Sequence, residues 1–66
     1  MDTVAVGKRL TELRGDRSQE RVARDNDLSL SAYIKYERGE RIPRDNIKMR
    51  LAKYYQKTVQ EIFFAD

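Results

Sequence analysis

Residues 18–39 read SQERVARDNDLSLSAYIKYERG: Ser18 and Ser29 are each followed by a short run with apolar residues at helical spacing, and a glycine closes the stretch. Ser18 suits a helix N-cap, because its hydroxyl can accept from a free backbone N–H one turn on. Glu20 then lies in the first turn, where the positive helix end favours an acid. Val22 and Ala23 give this helix, about 18–25, its inward pair, and Asn26-Asp27 breaks it. After the apolar Leu28, Ser29 repeats the capping chemistry and opens a helix over about 29–38, with Tyr33 and Tyr36 inward. Gly39 ends it, since a left-handed residue commonly closes a helix and only glycine takes that conformation without steric cost. Two short helices across a tight break have helix-turn-helix spacing.

Working outward, Val6, Leu10 and Leu13 fall at i, i+4 and i+7 on one face of a first helix over about 4–14, which Gly15-Asp16 ends. On the other side, Glu40–Arg44 is a loop, and Pro43 bars Ile42 from helical backbone. Asp45 is the expected cap of a fourth helix, about 45–56, with Ile47, Leu51, Ala52 and Tyr55 at helical spacing. Thr58-Val59-Gln60-Glu61 matches a capping box, and a fifth helix over about 58–64 buries Ile62 and Phe63. The pattern holds no strand, repeat or low-complexity tract. It predicts a single all-α domain over residues 1–66, folded as a five-helix bundle.

Composition narrows the function. The 66 residues contain neither cysteine nor histidine, so disulfides, thiolate zinc sites and the common base–nucleophile pairs are excluded. The three glycines form no phosphate-cradling loop, and catalysis is not expected. Asp25 and Asp27 are close in sequence, and turn capping is the expected use for them rather than a metal or acid–base site. No apolar run approaches the roughly 18 residues of a membrane span and no signal-peptide core is evident, so a cytosolic, nucleoid-associated chain is expected. Lysine and arginine outnumber acids by 14 to 11, a net charge of +3, so the distribution of charge matters more than its sum.

Read in order, GKRLTELR from Gly7, SQERVA, DLSLSAYIKYERG, ERIP and TVQEIFF resemble the Cro/C1-type (XRE-like) helix-turn-helix family of phage and bacterial repressors. The likeness covers nearly the whole chain and extends to the small regulators of Gram-positive phages and integrative elements. It implies a lambda-repressor-like DNA-binding domain with the helix-turn-helix at helices 2 and 3. Three departures stand out. The link from Arg14 to Ser18 is about two residues shorter than is usual in the family, and Asp27 and Gln56 stand where glycine is usual, so both are expected at positive φ.

The resemblance also assigns roles. Leu30, Ser31, Ile34 and Lys35 would face base edges in the major groove, and their spacing puts them on one side of the helix. Gln19, Arg38, Arg41 and Arg44 would contact phosphates, with arginine suited to bidentate contacts. Arg14 and Glu37 match a pair that joins the first helix to the third, a structural role, while Tyr33 and Tyr36 occupy inward positions. Of Ile62, Phe63 and Phe64, a domain this small has room for two, which leaves Phe64 for a dimer contact.

The reading is therefore a homodimeric repressor or Cro-like regulator on a pseudo-palindromic double-stranded DNA operator, with no cofactor and no metal. Two alternatives stay open at this stage. One is an autoregulating antitoxin or control protein; the other is a modulator that binds a second regulator protein through the apolar side chains of the third helix.

Overall fold

The computed structural model describes residues 1–65. It is all-helical, with no strand among those residues: α1 Thr3–Arg14, α2 Gln19–Asp25, α3 Leu30–Arg38, α4 Asp45–Tyr54, and a π-helical turn, Gln60–Phe64, denoted α5. The expected fold class and element order hold.

The caps follow local chemistry. Ser18 Oγ accepts from the Arg21 N–H and Ser29 Oγ from the Ala32 N–H, at 3.0 and 3.1 Å. In the capping box, Thr58 Oγ1 accepts from the Glu61 N–H at 3.0 Å while Glu61 Oε1 accepts from the Thr58 N–H at 2.9 Å. Gly39 closes α3 at φ 73°, and the Glu40 N–H reaches back to the Lys35 carbonyl at 2.9 Å. Asp27 and Gln56 are the two non-glycine residues at positive φ, both at 57°.

Four boundaries differ from the sequence reading. α1 begins at Thr3, because Asp2 caps it by accepting from the Val4 and Ala5 N–H groups, each at 3.1 Å. Asp45 is not the cap of α4. Arg44, held extended after Pro43, occupies that position without a side-chain bond, and Asp45 is already helical, its carboxylate 3.5 Å from Lys48 Nζ. An acid in the first turn still favours the helix end electrostatically. α4 stops at Tyr54 rather than near Gln56, whose left-handed backbone turns the chain toward the last element. The last element winds with wider π geometry over Gln60–Phe64 instead of forming an α-helix from residue 58.

Every element feeds one core: Val6 and Leu10 of α1, Val22 and Ala23 of α2, Tyr33 and Tyr36 of α3, Leu51 and Ala52 of α4 with Tyr55 after it, and Ile62 and Phe63 of α5. Three arginines bond carbonyls at helix C-terminal ends, two of them from far along the chain. Arg9 donates to the Ile62 carbonyl at 2.8 Å and to that of Ala65, and Arg50 donates to the Asn26 carbonyl at 2.6 Å. Arg17 donates to the Leu13 and Arg14 carbonyls at 2.7 and 3.1 Å, with its guanidinium 5.1 Å from the Tyr54 ring centroid. Cations at these negative ends are stabilising. Three of the fourteen basic residues are thus committed to the fold's helix ends.

Asp25 does not act as a turn cap. Its carboxylate accepts from the Tyr54 hydroxyl at 2.8 Å and lies 3.7 Å from Arg21, tying α2 to α4, while Asp27 contributes its left-handed backbone to the turn.

Candidate nucleic-acid interface

α3 has two chemically different sides. The inner side is locked. Tyr33 is fully buried, and its hydroxyl is 2.7 Å from that of Tyr55, so two phenols that burial would leave unsatisfied satisfy each other. Burial first, then the contact with Tyr55, pushes the Tyr33 phenol far above its ordinary range and keeps it neutral. One turn on, Glu37 accepts from Arg14 Nε at 2.7 Å and Arg14 Nη2 at 3.2 Å. Only 5% of the Glu37 side chain is exposed. Burial alone would raise the Glu37 carboxyl, but the donors around it, Arg14 first and then Tyr33 and Gln19, outweigh burial and hold it below the usual carboxylate range. The charged form is therefore the resident one, and α1 and α3 are joined through it.

α1 also packs against α3 at very short range. A Cβ placed on Gly7 would lie 2.2 Å from the Glu37 carbonyl oxygen, so the glycine is what lets the two backbones meet. The sequence reading quoted this glycine without explaining it. Its local signal is a glycine inside an otherwise helical pattern, which often marks close packing.

The outer side is open. Leu30, Ser31, Ile34, Lys35 and Arg38 line one shallow depression along α3. Leu30, Ser31 and Arg38 are exposed, and Ile34 and Lys35 are half-buried. Tyr36, Arg41, Ile42, Arg44, Asn46 and Ile47 line a separate depression at the loop between α3 and α4. Asn46, exposed in the first turn of α4, is a polar group at this surface that the sequence reading did not single out.

The four expected base-reading residues therefore share one face, with Arg38 at its end and Arg41 and Arg44 on the neighbouring loop. Gln19 stands at the first position of α2, half-buried, with Nε2 donating to Glu37 Oε1 at 2.9 Å. That bond orients the amide and leaves its oxygen and second N–H for another partner. Phe64 lies elsewhere, on α5, 46% exposed with Lys48 Nζ 5.2 Å from its ring centroid, while Ile62 and Phe63 are buried as expected.

Charge is divided between the fold and the surface, where Lys8, Arg24, Lys53 and Lys57 are also without an ion pair among the described residues. Arg9, Arg14, Arg17 and Arg50 are bonded inside the fold, and Arg21 and Lys48 have acidic neighbours. Among the described residues, Lys35, Arg38, Arg41 and Arg44 form no ion pair, so the open face of α3 and its loop carry uncompensated positive charge. The described residues contain no cluster of acids suited to a metal ion, and no helix is long and apolar enough to cross a membrane.

Comparison with known proteins agrees with this geometry. Among curated proteins and among solved structures, nothing matches significantly. A protein-family profile described as helix-turn-helix matches residues 9–62, from the middle of α1 into α5, and so takes in both helices of the motif and the elements that brace them. With that match over most of its length, the chain belongs to the Cro/C1-type helix-turn-helix family of DNA-binding regulators.

Proposed function

We propose that this protein is a sequence-specific transcriptional regulator that binds an operator as a homodimer, with α3 in the major groove. The observation that carries the reading is the two-sidedness of α3. Tyr33, Tyr36 and Glu37 fix the helix from behind, while Leu30 and Ser31 are exposed and Ile34 and Lys35 half-exposed in front, with Arg38 at the end of the face. A rigid helix with an open, positively flanked face suits base reading in a groove. Arg38, Arg41, Arg44 and Gln19 position the protein on phosphates.

Salt dependence tests this directly. Three phosphate-contacting arginines per protomer, doubled in a dimer, give a slope of log affinity against log salt of about −5. Changing Arg41 and Arg44 to glutamine together should flatten the slope by about 3 to 4 while sequence preference is retained. Duplex affinity that is the same at low and high salt contradicts the reading.

Phe64 is the dimer contact in this reading, as a large apolar side chain left open by a core that takes its two neighbours. Phe64→Asp should shift sedimentation toward monomer and weaken operator binding, with helical circular dichroism preserved because the ring is not part of the core. An unchanged oligomeric state removes Phe64 from the interface.

A further inference from the structure

We infer that the outer face of α3 selects its site through thymine 5-methyl groups, with Leu30 and Ile34 as the specificity-determining residues. The inference rests on the DNA-reading assignment above and goes beyond it by naming the chemical feature that is read.

Neither aliphatic residue belongs to the core or to the partly buried set packed against it, which from this part of the chain holds Leu28 and Ala32. Leu30 is 39% exposed at the first position of α3, and Ile34 follows one turn later on the same side. Both line the depression that Ser31, Lys35 and Arg38 complete.

The hydrogen-bonding groups of that face are few. Its first two turns offer one hydroxyl, from Ser31, and one ammonium, from Lys35; asparagine, glutamine and arginine, the side chains that pair bidentately with single bases, are absent from positions 30, 31, 34 and 35. Half of the face is hydrocarbon. The thymine 5-methyl is the one apolar group that base edges present in the major groove, so it is the feature such a face can recognise.

Charge argues for a duplex as the occupant. Lys35 and Arg38 edge the aliphatic pair, and Arg41 and Arg44 follow on the loop after α3, all four without an ion pair among the described residues. An apolar strip edged by free cations complements methyls lying beside a row of phosphates. Four residues of helix rise about 6 Å, against about 3.4 Å per base step, so the two methyls should lie one or two steps apart.

The test starts from duplexes enriched by the intact protein from a random pool. The best-bound duplex is resynthesised with each thymine in turn replaced by deoxyuridine, which removes only the methyl. For the wild-type protein, two positions in each half-site should each lose about fourfold in affinity, and a duplex substituted at both positions of one half-site about 15-fold, the effect of withdrawing one and two buried methyls. Leu30→Ala should be insensitive at one of these positions and Ile34→Ala at the other, with the salt slope unchanged. Circular dichroism melting establishes that both variants are folded.

Equal affinity for thymine and deoxyuridine duplexes overturns the methyl assignment while leaving the DNA-binding reading intact. A deoxyuridine effect that persists undiminished in both variants also overturns it, since the methyls then act through other residues or through duplex shape. If no duplex is enriched at all, the DNA-reading assignment fails and the inference fails with it, and the aliphatic face passes to a protein partner.

Discussion

Replacing Arg14 with alanine is expected to destabilise the fold by about 3 kcal/mol, the low end of the range for removing one partner of a buried ion pair. Glu37 would be left charged with 5% of its side chain exposed, keeping only the weaker donors Gln19 and Tyr33 nearby. The low end applies because Arg14 itself is 20% exposed, so water can partly replace it. A chain of 66 residues has a total stability of only about 3 to 10 kcal/mol, so the loss takes a large share of it. At about 4 to 8 °C per kcal/mol for a domain near this size, the melting temperature should fall by about 12 to 24 °C. Changing both partners, Arg14→Met with Glu37→Leu, should cost less than Arg14→Ala alone, because no buried charge is then orphaned. A normal melting temperature for Arg14→Ala would refute the structural role of the pair.

Gly7→Ala is the second large effect, and its sign is diagnostic. In an unconstrained helix the change stabilises by about 1 kcal/mol. Here the new Cβ would stand 2.2 Å from the Glu37 carbonyl oxygen and 2.8 Å from its carbon, which are backbone atoms that no rotamer change can move aside. α1 and α3 must separate, and overpacking of this kind costs about 1 to 3 kcal/mol, occasionally more. Thermal melting should therefore show a net loss, whereas Lys8→Ala on the exposed side of α1 should be close to neutral. A Gly7→Ala protein as stable as the wild type would mean that the two helices are not in backbone contact.

Arg14 and Gly7 act over longer spans of chain than the residues that set the helix ends. Ser18, Ser29, Gly39 and the Thr58–Glu61 box act on atoms within a turn of themselves, so their spacing is visible in the chain. The resemblance located the Arg14–Glu37 pair and the positive φ at Asp27 and Gln56. Gly7, Arg9 and Arg50 act across 30, 53 and 24 positions respectively, on backbone atoms whose location depends on the finished fold. Local patterning carries no record of such contacts. Arg44 displaced Asp45 at the cap for a related reason: Pro43 and the loop set the extended residue one position earlier than side-chain preference would choose. The candidate interface was legible as a face, because i, i+1, i+4 and i+5 positions cluster on any helix. The bond from Gln19 to Glu37 was not, because it depends on how α2 and α3 cross.

In the proposed complex α3, braced by α1, is the element that meets the duplex. Amide chemical-shift mapping with an enriched duplex tests it most directly. The largest shifts are expected at Gln19, at Leu30, Ser31, Ile34, Lys35 and Arg38, and at Arg41, Ile42 and Arg44, with little change at Lys53, Lys57 or the outer face of α1. Shifts centred on α1 or α5, with α3 left unperturbed at saturating duplex, would contradict it.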